Sequence, residues 1–353
     1  MSGATSIEWT DATWNPVTGC DKVSAGCKFC YAERYFKRPY PGRKFTDVQL
    51  HPERLDWPLR WRGSKQAKAE GRPSRIFPNS MGDLFHDAIR IGFLDQCFAV
   101  MALADDKIFQ LLTKRADRME AYFNGAPNHN LPPSIAAQAR IARASQTLGA
   151  IKGKTPNEAF GDAVIDFPYK NVWLGFSAEN QETFDERWQQ MKPLAEYGWT
   201  VWASLEPLLG RIILPDDYLR LAKWTVTGGE SGPRARPAHP DWFRSLRDQC
   251  VAAGVPFFFK QWGQWAPREQ FASFEEWNKA GKHAMVMRQG QASVVPGRDN
   301  PDPEFGLTCS DLDGNDGAAA MGFIARHEAG RMLDGREHNE FPTGQAIRNR
   351  DQK

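Results

Sequence analysis

The sequence predicts an α/β protein, a partial or complete TIM-like (β/α) barrel, on three observations. Short apolar runs rich in β-branched and aromatic residues alternate with longer stretches of helical periodicity. The runs are hydrophobic almost throughout, as strands buried on both faces are. Each run ends in polar residues, always at its carboxyl end, where the sites of such barrels lie.

In chain order, strands are expected near residues 6–9 and over 75–78, 108–112, 172–176, 200–203, 224–227 and 255–259, about seven in all. Helices are expected over 92–104, 181–196 and 240–253. Strand alternating with helix implies parallel pairing through right-handed crossovers. Residues 126–170 interrupt the alternation, with 128–150 helical and polar and 152–170 loop-like. They read as an insertion, either a lid over a barrel face or a partner surface. Residues 1–266 then form the barrel and 267–353 a C-terminal extension packed on it. That extension is Gly-, Pro- and Asp-rich to about Gly317 and helical in pattern over 318–333.

Charge and composition exclude several classes. With 45 Lys+Arg against 43 Asp+Glu the formal net charge is +2, so nucleic acid is not held by bulk charge and any such binding needs a local patch. A 41% hydrophobic content is that of a folded chain. No run approaches the roughly 18 apolar residues of a membrane span. The first residues lack the basic start and apolar stretch of a secretory signal, so the expectation is a cytoplasmic protein without a membrane partner. Thirteen tryptophans predict large flat apolar walls, in a core or around a planar ligand.

Six cysteines are unevenly placed. Cys97, Cys250 and Cys309 stand singly and read as small buried hydrophobes. Cys20, Cys27 and Cys30 form a C-x6-C-x2-C cluster, which without a signal peptide reads as metal-binding before it reads as a disulfide framework. Three thiolates suit a [4Fe–4S] cluster with one iron left free, whereas a structural zinc wants four ligands. The zinc alternative would recruit His51 or His86.

A three-cysteine loop after the first strand of such a barrel, with Phe29 and Tyr31 flanking Cys30, resembles the radical S-adenosylmethionine superfamily, although the first gap is longer than that superfamily's commonest C-x3-C-x2-C. More closely, the chain resembles a phage- and prophage-associated family of radical-SAM-like, three-Cys-motif proteins. The matching stretches are 14–20 (WNPVTGC), 79–85 (NSMGDLF), 112–115 (LTKR), 204–210 (SLEPLLG), 228–232 (GGESG) and 259–263 (FKQWG), with a weaker echo at 330–336.

The resemblance implies a barrel of radical SAM type. It implies a [4Fe–4S] cluster on Cys20, Cys27 and Cys30, with S-adenosyl-L-methionine bound at the open iron and cleaved to a 5′-deoxyadenosyl radical. It also implies an electron donor of the flavodoxin or ferredoxin type. Asn79, Ser80 and Asp83 stand where the superfamily holds the methionine amino group, although its usual Gly-Gly-Glu is not at this strand. Gly228, Gly229 and Glu230 carry that tripeptide on a late strand, where a ligand approach and a tight turn are both open readings. Lys114 and Arg115 could meet a carboxylate or phosphate, or be solvated. Ser177, Glu179 and Asn180 stand where ribose hydroxyls are often held, or as helix caps. Glu206 and Lys260 are the candidate catalytic pair, and Gln261 and Trp262 close the ring, Trp262 stacking on a base or simply packing.

Basic residues alternate with aromatics over 31–45, with Arg34, Lys37, Arg38, Arg43 and Lys44 among Tyr31, Tyr35, Phe36, Tyr40 and Phe45. More basic residues follow near Trp57 and Trp61, and Arg234 and Arg236 lie further on. Such a run suits a nucleic-acid groove or an amphipathic helix over a core. The expected activity is that of a radical SAM enzyme on a nucleic-acid base or nucleotide, with phage-type DNA base modification preferred. A photolesion-reversing reaction like that of spore photoproduct lyase is an alternative. Two further readings are a zinc-bearing nucleic-acid-binding protein and a barrel that serves only as a partner subunit.

Overall fold

The computed structural model describes residues 3–124, 133–280, 283–287, 292–295 and 318–342. Its centre is an eight-stranded sheet, curled into a half-barrel, with the strands in simple chain order. They are β1 (Gly3–Ala4), β2 (Ala12–Trp14), β3 (Ser74–Pro78), β4 (Lys107–Thr113), β5 (Val172–Ser177), β6 (Thr200–Leu205), β7 (Trp224–Gly228) and β8 (Phe257–Gln261). β1 is antiparallel to β2, and from β2 onward every pairing is parallel. The expected strand at 6–9 is instead a turn, and the first parallel strand lies at β2. Ser6–Trp9 alternates polar with apolar as a strand would, but the chain turns at Glu8–Trp9, and Ile7 and Trp9 join the core of the sheet's concave face.

Along each strand the side chains alternate between two cores, as the two-residue period requires. Ile76, Phe109, Leu111, Leu174, Phe176, Val201, Ala203, Phe257 and Phe259 pack outward against the helices. Phe77, Ile108, Trp173, Trp202, Trp224, Val226 and Phe258 pack inward with Trp9. Both faces are therefore apolar, and the strands read as continuous hydrophobic runs. Gly175 lies beneath Trp202, where a Cβ would overlap the indole.

The outer layer consists of α2 (Ile91–Leu103), α3 (Ala116–Asn124), α6 (Gln181–Tyr197), α7 (Asp216–Leu221) and α8 (Pro240–Ala253), with α1 (Tyr31–Phe36) following the cysteines. The insertion adds α4 (Pro133–Leu148) and α5 (Pro156–Ile165). Residues 152–170, expected as loop, thus hold a helix, started by the Thr155–Glu158 capping box. Among the described residues the insertion does not line the cavity described below. α4 packs on α2, α3 and α5 in the outer layer, which explains why α2 is buried on nearly every side, from Phe93 to Met101.

The C-terminal extension forms a small antiparallel sheet of β9 (Trp265–Pro267), β12 (Ala318–Phe323), β10 (His283–Met287) and β11 (Ala292–Val295), in that order. Helix was expected over 318–333. The alanines of β12 are helix formers, but pairing with both β9 and β10 overrides that local preference. Only Arg326–Ala329 is helical. The final segment runs beside β8: Phe259 N donates to His338 O at 3.0 Å, and Trp224 Nε1 to Glu340 O at 2.8 Å. Phe341 then packs on Trp224 and Phe258 and lies under the Arg75 guanidinium at 3.5 Å, filling the amino end of the half-barrel. Cys97 and Cys250 are fully buried, as expected of apolar fillers; Cys309 lies outside the described residues.

Candidate functional site

At the carboxyl ends of β3–β8 a cavity of about 510 Å³ opens. Its floor is Trp9, Phe77 and Leu112, the upper edge of the inner core. Its walls include Lys114, Ser177, Ser204, Glu206 and Lys260 from the strand ends. Its other side is the cysteine loop, through Gly26, Phe29, Cys30 and Tyr31. The polar residues at successive strand ends therefore do converge.

The cysteine loop is held by backbone contacts that need glycine. Gly19 adopts φ 94°, and a Cβ there would lie 2.8 Å from Phe45 O; beside it Cys20 N donates to the same carbonyl at 2.9 Å. Gly26 N donates to Glu179 Oε1 at 2.9 Å. Cys30 is the N-cap residue of α1, and its side chain makes no capping hydrogen bond. Arg115 donates to Cys20 Sγ at 3.3 Å and pairs with Asp83, also at 3.3 Å. Burial and the Asp83 carboxylate push the Cys20 thiol up to about 12, against the Arg115 hydrogen bond; burial likewise raises Cys30.

Several candidates prove to be supports. Asp83 accepts from Thr113 Oγ1 at 2.7 Å, Lys114 N at 3.1 Å and Phe85 N at 2.9 Å, besides pairing with Arg115. Its carboxylate thus ties β4 to the loop after β3. Ser80 exchanges hydrogen bonds with Asn15, and its carbonyl accepts from Tyr31 Oη at 2.8 Å. Glu179 is fully buried between Arg187, Lys114 and Gly26 N. Burial works to raise its carboxyl, but those cations and donors hold it below its ordinary value. Asn180 caps α6 in a capping box with Thr183, as the cap reading had it.

The glycines are also structural. A Cβ on Gly229 would overlap Trp262 O, so this residue lets β7 and β8 close on each other. Gly228 leaves room for the Glu206 carboxyl, 3.4 Å from where its Cβ would be. Glu230 lines the cavity but is gripped by Arg236 through Nε at 2.8 Å and Nη2 at 2.6 Å. Trp262 is buried against Phe243 and Phe259 and donates to Met332 O at 2.9 Å; it packs and does not face the cavity.

Three candidates that line the cavity, Glu206, Lys260 and Lys114, remain available to a ligand, and Asn79 is not among the lining residues. Glu206 and Lys260 form a two-pronged pair at 2.8 and 3.0 Å, with Gln261 Nε2 3.3 Å from Oε1. Lys114 Nζ lies 3.5 Å from Glu179 and makes no hydrogen bond. Asn79, two residues beyond Phe77, is in the left-handed region at φ 60° and 3% exposed, with both amide atoms unpartnered among the described residues. Buried orphan polar groups of this kind mark a strain reservoir or the place of an absent partner.

Of the basic–aromatic run, Phe36 turns into the core while Tyr31, Arg34 and Tyr35 line the cavity. Sequence reasoning missed Trp9, Gln264 and Arg326 as lining residues. Ser204 and Glu206, expected at this strand end, both line the cavity. Nothing local signals Arg326, which arrives from the far C-terminal segment.

The donor set suits a group bound by three thiolates. Cys27 is close enough to perturb both Cys20 and Cys30, and an N–H donor, from Arg115, reaches the Cys20 sulfur. Both candidate fourth ligands are engaged elsewhere: His51 with Thr18 and Glu53, His86 with Asp21. Among the described residues no three His, Cys, Asp or Glu side chains converge as tightly as a single metal ion requires.

Fold and site together define an α/β protein whose curled parallel sheet presents a cavity at its strand ends, with Cys30 in one wall. Residues 4–342 match the model of a family described as a protein of unknown function (DUF5131), and the chain belongs to that family. No curated protein and no solved structure matches it. Among the described residues no helix is long and apolar enough to cross a membrane.

Proposed function

We propose that this chain is a radical S-adenosylmethionine enzyme, on a partial barrel of that superfamily's type, acting on a nucleic-acid base or nucleotide. One observation carries the reading: the last part of the cysteine loop, with Gly26, Phe29 and Cys30, forms one wall of the cavity whose other walls are the strand ends. Cys20, Cys27 and Cys30 would hold a [4Fe–4S] cluster, which would supply the one-electron chemistry for reductive cleavage of S-adenosylmethionine.

The chain's own residues support this chemistry in four ways. Arg115 donates to the Cys20 sulfur, which works toward the thiolate form a cluster needs, against the burial that raises that thiol. Lys114, which lines the cavity, offers an ammonium without a hydrogen bond to a carboxylate. The Trp9, Phe77 and Leu112 floor keeps water out from below, as a reactive intermediate demands. Glu206 and Lys260 place a proton-transferring pair on the wall formed by β6 and β8. A flavodoxin- or ferredoxin-type protein is the fitting reductant, and phage-type base modification the preferred reaction.

Anaerobic reconstitution tests the proposal. Wild-type protein should bind about four irons per chain, absorb near ~400 nm, and form 5′-deoxyadenosine when reduced with dithionite in the presence of S-adenosylmethionine. Cys27→Ala should lose iron and cleavage together. One tight zinc in place of iron, or cleavage that survives Cys27→Ala, refutes the assignment.

A further inference from the structure

We infer that the cavity takes a phosphorylated ligand, whose phosphate is held at the rim by Arg34, Arg234 and Arg326. The inference rests on reading the cavity as the substrate chamber. Arg34 and Arg326 line it directly, and Arg234 stacks at 4.8 Å on Phe29, which lines it too.

The charge around the cavity is not balanced. Its two lining carboxylates are already matched, Glu206 by Lys260 and Glu230 by Arg236. Lys114 is matched from behind by Glu179. Arg34, Arg234 and Arg326 have no side-chain hydrogen bond or ion pair with any described residue. Three unmatched guanidiniums around one opening answer more than the single charge of a carboxylate. Their forked donors fit the oxygens of a phosphate.

Two of the three are also held in place. Arg34 lies 4.8 Å over the Tyr35 ring and rests against Gly232, where a Cβ would overlap its Nη1. Gly232 has φ 120°, so both its backbone and its missing side chain make the slot for Arg34. Arg234 and Arg236 stack on Phe29, at 4.8 and 5.3 Å. Such stacking fixes the plane of a guanidinium before a ligand arrives, which lowers the ordering cost of binding. Beside them Tyr31 and Tyr35 stay 41% and 48% exposed at the same opening. Phosphate donors next to exposed aromatic rings describe the recognition of a nucleotide unit. That phosphate belongs either to a free nucleotide or to the backbone of a strand with one base turned into the cavity.

The test is a set of binding measurements on the full chain. The probes are a short fluorescein-labelled single-stranded DNA, deoxynucleoside 5′-monophosphates and the matching nucleosides. The phosphorylated ligands should bind at least about tenfold more tightly than the nucleosides, as a charged hydrogen bond implies. Arg34→Gln, Arg234→Gln and Arg326→Gln should each weaken binding by about tenfold. For the strand, each should also lower the slope of log affinity against log salt by about one, and Arg34→Lys should restore part of the loss. Preference for the monophosphate identifies a free nucleotide as the source, preference for the strand a backbone phosphate, and either supports the inference. Nucleosides binding as well as their phosphates, no binding of either phosphorylated probe, or glutamine variants with unchanged affinity and slope overturn it. The same titration on Cys27→Ala separates the two proposals. Phosphate-dependent binding there stands whatever the iron assay gives, and an iron-bearing wild type indifferent to phosphate overturns this inference alone.

Discussion

Toward their amino ends the strands of the curled sheet send Trp173, Trp202, Trp224 and Phe258 to the concave face. One or two side-chain periods further along, the same strands send Ser177, Ser204, Glu206 and Lys260 to that face. The lower half is sealed by stacked indoles and by Phe341 from the C-terminal segment. The upper half is lined by charged and hydroxyl groups around open space. The backbone is continuous across the boundary, so the difference lies wholly in side-chain choice. The floor supplies burial and fixes the curvature, and the mouth, relieved of that duty, can carry groups that contribute little to stability. Mutations in the two halves should therefore separate stability from function.

The largest expected effect belongs to the floor. Trp202 is fully buried between Trp9, with centroids 5.6 Å apart, and Trp224 at 4.9 Å. Trp202→Ala should cost about 3–5 kcal/mol, the usual loss for a large aromatic replaced in a core, read as a lowered urea midpoint at unchanged slope. Trp202→Phe should lose much less, because it also removes a buried indole N–H that has no partner among the described residues. Equal losses for the two variants would show that the indole's bulk is not what holds the floor.

A middle-sized effect is expected at the sheet's amino end. Asp11 accepts from Arg72 Nη1 and Nη2 at 2.7 and 2.9 Å and from Arg75 N at 2.7 Å. Burial works to raise the Asp11 carboxyl, but these donors outweigh it and hold it below its ordinary value. A carboxyl depressed in the folded state stabilises fully above its unfolded pKa of about 3.9, and the contribution fades as the pH falls through the folded value. Asp11→Asn should cost about 1–3 kcal/mol at neutral pH. The gap to wild type should narrow in stability curves taken below about pH 4. A gap that widens on acidification would reverse the assigned sign.

Much of this division was legible in the sequence. β3 to β8 and the helices α2, α6 and α8 announced themselves, because a strand buried on both faces is apolar throughout and the helices keep their period. The convergence of polar strand ends followed from parallel topology alone. What was not legible depended on contacts distant in sequence. β12 reads as helix until β9 and β10 pair with it. The insertion looked like a lid because its polar face shows in sequence, whereas its docking on α2 does not. Asp83, Glu179 and Glu230 looked like ligand groups because a buried carboxylate reads the same whether a substrate or an arginine answers it; Arg115, Arg187 and Arg236 answer them.

The smallest expected effect on stability is also the sharpest contrast with the floor. Glu206 and Lys260 keep 19% and 15% of their side chains exposed, facing the cavity. A pair with access to water contributes at most about 1 kcal/mol, so Glu206→Gln should shift the urea midpoint only slightly. The amide keeps one acceptor for Lys260 and removes a negative charge from a cavity that already carries unmatched arginines. Phosphate-dependent binding should then hold or tighten, while 5′-deoxyadenosine formation without substrate continues. Substrate turnover should nonetheless fall, by at least about 100-fold if the carboxylate handles a proton. The discriminating measurement is the urea midpoint taken alongside the binding constant. If Glu206→Gln destabilises as much as Trp202→Ala, the mouth is part of the scaffold and the functional reading of its charged pair is wrong. If it binds phosphate normally, stays folded and fails to turn over, the polar half of the sheet is free to do chemistry because the aromatic half holds the fold.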